Sequence, residues 1–240
     1  MKPPENFTIH LNDIKLERLS HTKFLGVLIQ ENLQWNRHIN HVSNRVSKAT
    51  GILAKLKHIL PKQALLTVFN SLCLSHLSYA ISVWGSSSSS TLNRLVTLQK
   101  KGIRHVCNSK YNAHTDPLYF DNNILSLKDL FNLSIVKLVF KKRQSKLPLY
   151  HSKKLPIKSE ILEIETRQKH DIIMDTCKPK ISKMNSINFK TGTAWNTLPF
   201  EIKNGHYKTI KTFSKHVRKY YISKYDKTCQ VRNCYICNKC

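Results

Sequence analysis

The period of the sequence changes at Trp35, and that change decides what the chain can fold into. Before it lie short apolar runs, FTIHL, IKLERL and KFLGVLI, separated by Asn12-Asp13 and by Ser20–Thr22. Asn and Asp tolerate left-handed backbone and bond their own chain locally, so the first two runs read as an antiparallel pair joined at Asn12-Asp13. The third run is continuously apolar and reads as one strand buried on both faces, with Gly26 marking a bulge or a close backbone approach. After Trp35, Ile39, Val42, Val46, Ala49, Leu53 and Leu56 recur at steps of three and four. That spacing predicts an amphipathic helix over 38–58, with Asn36 as its cap.

Further helices follow. One is predicted from Pro61 to about Trp84-Gly85, with Leu65, Leu66, Phe69, Leu72, Cys73, Leu77 and Ala80 on one broad apolar face. The serine run 86–90 reads as a connection, and a third helix spans about 91–106. Residues 108–124 carry no period and are expected to be irregular. Ser126 with Asp129 predicts a capped start for a fourth helix running to about Arg143. The stretch 149–190 is rich in Lys, Ser and Asn, is interrupted by Pro156 and Pro179, and reads as a linker. TAWNTLPFEI is an apolar island, and Ile210 to Tyr221 reads as a basic amphipathic helix. The expected class is α+β, mostly α: short N-terminal antiparallel strands, a helical bundle and a basic C-terminal extension. The expected segments are 1–35, 36–147, 148–192, 193–225 and a Cys-rich tail over 226–240.

Charge narrows the function. Lys and Arg number 40 against 14 Asp and Glu, a formal net charge of +26. From Asn32 to Thr115 there is no acidic residue, yet eleven Lys and Arg occur there. A solvated surface usually mixes signs, so a run of one sign points to a polyanion, nucleic acid first. The candidate contacts are Arg37, Arg45, Lys48, Lys55, Lys100, Lys101 and Arg104. Arg45 and Lys48 lie three apart and Lys48 and Lys55 seven apart, so all three can project together along one phosphate strand. Trp35, Tyr79 and Trp84 are read as packing residues rather than base-stacking platforms.

No stretch has the continuous apolar length of a membrane span, and MKPPENFTIH lacks the apolar core of a signal peptide. The expectation is an intracellular protein, nuclear or cytoplasmic, with reduced cysteines and no membrane partner.

Catalytic chemistry finds little support. Two-metal nucleotidyl transfer needs paired carboxylates, and here acids are scarce and scattered. No glycine pattern marks a nucleophilic serine. No catalytic residue is assigned. Cys229, Cys234, Cys237 and Cys240 follow C-x4-C-x2-C-x2-C, a candidate Zn²⁺ set, with His216 as an alternative ligand. All four lie within twelve residues, so a disordered cysteine-rich tail is the competing reading.

The segments KFLGVLIQENLQWNRHI, LSYAISVWGSSSSSTLNRLVTLQKKGIRHV, LSLKDLFNLSIVKLVFK, TAWNTLPFEI and TFSKHVRK occur in one order between residues 14 and 220. This series resembles the C-terminal part of the reverse transcriptase of a jockey-like non-LTR (LINE-type) retrotransposon. The resemblance implies that Lys23–Ile29 closes the palm and that the helices after Trp35 form a thumb against the template–primer duplex. It also implies RNA-directed DNA polymerase activity with Mg²⁺, and nucleic acid, an RNA–DNA hybrid or duplex, as partner. The family's catalytic carboxylates precede this strand, so none is carried onto this sequence. The expectation is a partial polymerase, inactive alone, with catalysis either lost or supplied by the missing portion in another chain. Two alternatives stay open: a stand-alone basic module with Zn²⁺, and a non-functional remnant.

Overall fold

The computed structural model describes residues 8–161, 168–174 and 186–226. It is α+β and mostly α. Strands β1 (His10–Leu11) and β2 (Ile14–Lys15) pair antiparallel, and Asn12 turns between them at φ 48°. The Asn12-Asp13 turn thus forms where the sequence placed it.

The apolar run Lys23–Ile29 is not one strand. It folds as a hairpin of β3 (His21–Phe24) and β4 (Val27–Gln30), with Phe24 opposite Val27. The two turn residues, Leu25 and Gly26, have φ of 45° and 80°. A two-residue hairpin loop of this kind needs positive φ at both central positions, which glycine adopts without strain. Continuous hydrophobicity concealed the turn. The burial expectation is also corrected: β3 is exposed throughout, and on β4 only Val27 is buried.

Helix α1 (Asn36–Leu56) buries Ile39, Val42, Val46, Ala49 and Leu53, as the period required. Asn36 is its first residue rather than its cap, and Trp35 at the cap position supplies no side-chain bond. Gln30 takes over: its Oε1 accepts from the Arg37 backbone N–H at 3.0 Å. The Leu28 N–H donates to His38 Nδ1 at 3.3 Å, so β4 and α1 are tied twice.

The helix expected from Pro61 to Trp84 is broken into α2 (Lys62–Phe69), a π turn (Asn70–Leu74), α3 (Ser75–Ser78) and α4 (Ile81–Trp84). Leu65, Phe69, Cys73 and Leu77 all face the core. Their constant step of four exceeds the α-helical turn of about 3.6 residues. The wider π turn takes up that drift, keeping all four inward. The sharp break comes at Ala80, held at φ 49°. Trp84 Nε1 donates to Tyr79 O at 3.0 Å across the bend. Leu72 leaves the apolar face and is 38% exposed.

Helix α5 (Ser89–Val106) is capped by Ser88 and packs along α1. A Cβ on Gly102 would meet the Phe69 ring at 2.7 Å, so glycine permits the close approach of α5 to α2. Arg94 Nη2 bonds Asn44 Oδ1 at 3.3 Å, and the His105 ring feels the charge of Lys57. The two helices therefore run in the same direction, with α2–α4 as the crossover. Buried Gln99 donates to Leu125 O at 2.9 Å and accepts from Leu127 N at 2.8 Å, seating the next turn.

The stretch 108–124 contains a short helix, α6 (Asp116–Asp121), in place of the expected irregular chain. Helix α7 (Leu127–Arg143) begins at Ser126, whose Oγ accepts from Asp129 N as anticipated. Next comes α8 (Leu149–Lys153). Within the stretch read as a linker, Leu155, Ile157 and Ile172 are buried, and Ile157 and Ile172 form an antiparallel bridge. Helices α9 (Ile187–Asn196), α10 (Phe200–Asn204) and α11 (Ile210–Ser223) complete the described chain. Phe213 stacks on Phe140 of α7 at 4.5 Å, and Tyr225 Oη donates to Asp129 at 2.6 Å. One hydrophobic core runs from Ile39 to Ile222.

Candidate nucleic-acid interface

Helix α1 sorts its residues by helical phase. Arg37, Lys48 and Lys55 are separated by eleven and seven residues, about three turns and about two turns. They lie on one stripe, opposite the buried face, and all are exposed. The stripe is about 27 Å long, from 18 residues at about 1.5 Å each. Gly51 sits on it between Lys48 and Lys55, with nothing within 4 Å of where its Cβ would be. Among the described residues, Lys48 and Lys55 have no hydrogen-bond or ion-pair partner.

Arg45 stands on the flank of this stripe. It borders a groove of about 420 Å³ between α1 and the π turn with α3. His41, Arg45, Lys48 and Ile52 line one wall, and Leu72 and His76 the other. Arg45 Nε donates to His41 Nε2 at 3.2 Å. That bond requires neutral His41 with its proton on Nδ1. Burial first, then the charges of Arg45, Lys23 and His76, depress the basicity of His41. No carboxylate lines the groove.

The predicted contacts divide. Arg37 is exposed, its Nη1 2.8 Å from His21 Nδ1, at the junction of the hairpin and α1. Lys100 and Lys101 are exposed on α5 and have no bonding partner among the described residues. Arg104 is half-buried and its Nε donates to Ala113 O at 2.8 Å, tying down the loop before α6. The stacking question resolves residue by residue: Trp84 is fully buried and Trp35 half-buried. Tyr79 is 55% exposed, but its hydroxyl donates to Leu25 O at 2.6 Å and holds the β3–β4 turn.

Sequence reasoning did not join His41, Asn44 and His76 to this surface. His41, Asn44, Arg45 and Lys48 follow a three-and-four spacing that was available in the sequence. His76 reaches the groove only through tertiary packing.

The described residues do not fit a two-Mg²⁺ centre. Among them no three His, Cys, Asp or Glu side chains come together to hold a metal ion. Glu31 pairs with Arg18, Glu160 with Lys142 and Asp171 with Lys203, while Asp129 bonds Ser126 and Tyr225. His216 Nδ1 lies 2.9 Å from Thr212 O, within its own helix. The proposed Zn²⁺ set, Cys229, Cys234, Cys237 and Cys240, lies outside the described residues. No described helix is long and apolar enough to cross a membrane.

Comparison with known proteins adds an independent line. No protein-family profile matches the chain, and no solved structure matches it. Curated relatives do. The chain is 27% identical over 118 residues to the RNA-directed DNA polymerase of the mobile element jockey of Drosophila funebris, covering 46% of this chain and 13% of that protein. It is 22% identical over 132 residues to the probable RNA-directed DNA polymerase of transposon BS of Drosophila melanogaster, covering 52% of this chain and 14% of that one. The corresponding protein of the X-element of the same fly is 20% identical over 128 residues, with the same shares. The matched stretch thus spans about one seventh of each relative. Over about half of its length, this chain is similar to the RNA-directed DNA polymerases of non-LTR retrotransposons.

Proposed function

We propose that the cationic face of α1 and α5 binds nucleic-acid duplex, an RNA–DNA hybrid included, as the thumb of a reverse transcriptase does. One observation carries this reading. Between Asn32 and Thr115 eleven Lys and Arg occur with no acidic residue, and α1 sets Arg37, Lys48 and Lys55 in one exposed row with Arg45 beside it. Such a row would run alongside about eight base pairs of duplex, at about 3.4 Å rise each. Phosphates held this way give affinity without base readout, because backbone contacts carry no sequence information.

Polymerase activity enters this reading as the activity of a larger assembly. With no described carboxylate cluster for Mg²⁺, the catalytic step is assigned to other polypeptide. The exposed apolar surface of the N-terminal hairpins favours that: Leu11, Ile14, Phe24 and Leu25 are each more than 60% exposed. Apolar side chains gathered on short strands with open edges suit burial against a further protein surface.

The test is binding of the purified chain to an RNA–DNA hybrid, duplex DNA and single strands across a salt series, with primer extension in Mg²⁺ alongside. The reading expects salt-steep duplex binding and no extension. Reversing Arg45 and Lys48 to Glu should weaken binding and flatten the slope of log K against log salt by about 0.9 for each lost phosphate contact. Unchanged binding by that variant would remove the assignment, and extension would contradict the reading of the carboxylates. Zn²⁺ in the cysteine tail is a separable proposal resting on the spacing alone. Metal analysis of the purified chain decides it, one zinc per chain being the expected value.

A further inference from the structure

The groove beside Arg45 contains more than a phosphate track requires. Backbone binding needs cations, and the stripe from Arg37 to Lys55 already supplies them. Yet between the basic and imidazole groups of the groove lie Ala49, Ile52 and Leu72. Ile52 is 44% exposed and Leu72 38%, two large aliphatic side chains facing water inside a cationic rim. A bare phosphate would leave them uncovered. The chemistry complementary to such a site is an anion joined to a flat apolar ring.

We propose that this groove seats one unpaired nucleotide of a bound strand, with its phosphate on Arg45 and Lys48 and its base over Ile52 and Leu72. The inference rests on the nucleic-acid reading of the same surface and adds what the surface selects. The volume of about 420 Å³ falls within the range of about 300–1,000 Å³ typical of small-ligand pockets. Two further groups suit the same guest. Asn44 Oδ1 is occupied by Arg94 Nη2, which leaves the Asn44 amide N–H groups to donate to a base edge. His41, with its Nε2 taken by Arg45, keeps Nδ1–H as a donor toward an anionic oxygen. A paired nucleotide cannot reach this site, because its base is stacked and extrusion costs a few kcal/mol. A bulged or overhanging nucleotide avoids most of that cost.

The experiment compares three probes on the intact chain: a blunt duplex, the same duplex with a one-nucleotide bulge, and the same bulge made abasic. The bulged duplex should bind roughly fivefold tighter than the blunt one, the low end of base-stacking contributions because the floor is aliphatic rather than aromatic. The abasic bulge should lose that gain. Ile52→Ser with Leu72→Ser should abolish the preference and leave blunt-duplex affinity unchanged, and a thermal melt checks that the variant folds. The abasic probe needs no variant, so it decides the matter even if the double substitution unfolds the chain. Equal, salt-steep affinity for all three probes would overturn the nucleotide pocket and leave the duplex-binding reading standing. No salt-dependent binding to any probe would overturn both.

Discussion

Two groups of cations stand in contrast, one left in solvent on α1 and α5 and one bound into the fold of the second half. On α1 and α5, Lys48, Lys55, Lys100 and Lys101 stand in solvent with no bonding partner among the described residues. In the second half, several cations hold the fold together, while Lys211, Lys215 and Lys219 of α11 stay exposed. Lys203 is buried with Asp171 at 2.7 Å, Lys142 reaches Leu155 O at 2.6 Å and Glu160, and Lys190 reaches Ser86 O at 2.8 Å. Arg143 and Arg218 donate to the carbonyls of Lys203 and Asn123. Net charge alone therefore says little about binding. What marks the face proposed to bind is cations left without partners along a long acid-free run, from 32 to 115.

The sharpest way to break this contrast is to remove one cation from each half. Lys203→Met leaves Asp171 charged and nearly enclosed, its side chain 11% exposed. Breaking one partner of a buried pair typically costs about 3–5 kcal/mol. Chemical denaturation should show a loss of that order, while duplex affinity of the folded fraction stays the same. Lys48→Gln should do the reverse, with stability within about 0.5 kcal/mol of the parent and weaker binding. If Lys203→Met weakens binding as much as Lys48→Gln does, the division into structural and binding cations fails.

Arg104 tests the border between the two classes. Its sequence position groups it with Lys100 and Lys101, but its bond to Ala113 O places it among the structural cations. Arg104→Ala should destabilise by about 1.5–3 kcal/mol, the usual value for a hydrogen bond that involves a charged group. Replacing Lys100 and Lys101 together by Gln should leave the melting temperature unchanged and flatten the salt slope by up to about 1.8. A salt slope altered equally by Arg104→Ala would return it to the phosphate set.

That border also marks what the sequence could reveal. The Lys48–Lys55 part of the α1 row was legible because its phase is local. The cap at Ser126 was legible for the same reason. The three-residue step from Arg45 to Lys48 misled: the helix turns Arg45 to the flank beside the groove and sets Arg37 in the row instead. Arg104 was not separable from Lys101, because its acceptor is a loop carbonyl nine residues on. The breaks near Tyr79-Ala80 and Leu25-Gly26 were hidden by apolar runs that continue across them. Tertiary bonds, Tyr79 Oη to Leu25 O and Trp84 Nε1 to Tyr79 O, hold both bends, and no periodicity records such bonds. The groove required α1 and α3 to be packed before His76 could be placed opposite His41.

A smaller effect of opposite sign is expected on the α1 stripe itself. A glycine inside an exposed helix is less stable than alanine by about 0.8–1.0 kcal/mol. The open space around Gly51 leaves no steric reason for it. Gly51→Ala should raise stability by about that amount in a denaturation series. If affinity for duplex falls at the same time, the phosphate track passes over the bare backbone at this position. If affinity holds, the track lies along Lys48 and Lys55 without touching it. A fall in stability would mean that the helix is bent or crowded there.

The smallest expected effect concerns the seam between the hairpin and α1, where His38 joins the two. Its Nδ1 accepts from Leu28 N, its Nε2 is buried without a partner, and its ring lies 5.8 Å from that of Trp84. Burial, then the neighbouring His41, lowers its pKa below the ordinary 6.5. Protonation would place a hydrogen on Nδ1 where the Leu28 N–H already points. The folded state therefore binds this proton less readily than the unfolded chain does. With more protons on the unfolded state, stability rises with pH through this window. The contribution is complete above about 6.5 and is lost as pH falls through that value toward the depressed folded one. His41 and His105 are shifted in the same direction and add to the trend. The melting temperature should accordingly fall between pH 7.5 and 5.5. His38→Asn keeps an acceptor for Leu28 N without a titrating ring, so it should flatten the part of that fall that belongs to the seam. An unchanged pH profile in the variant would mean that the acid sensitivity arises away from the seam, at the other partly buried imidazoles such as His41 and His105.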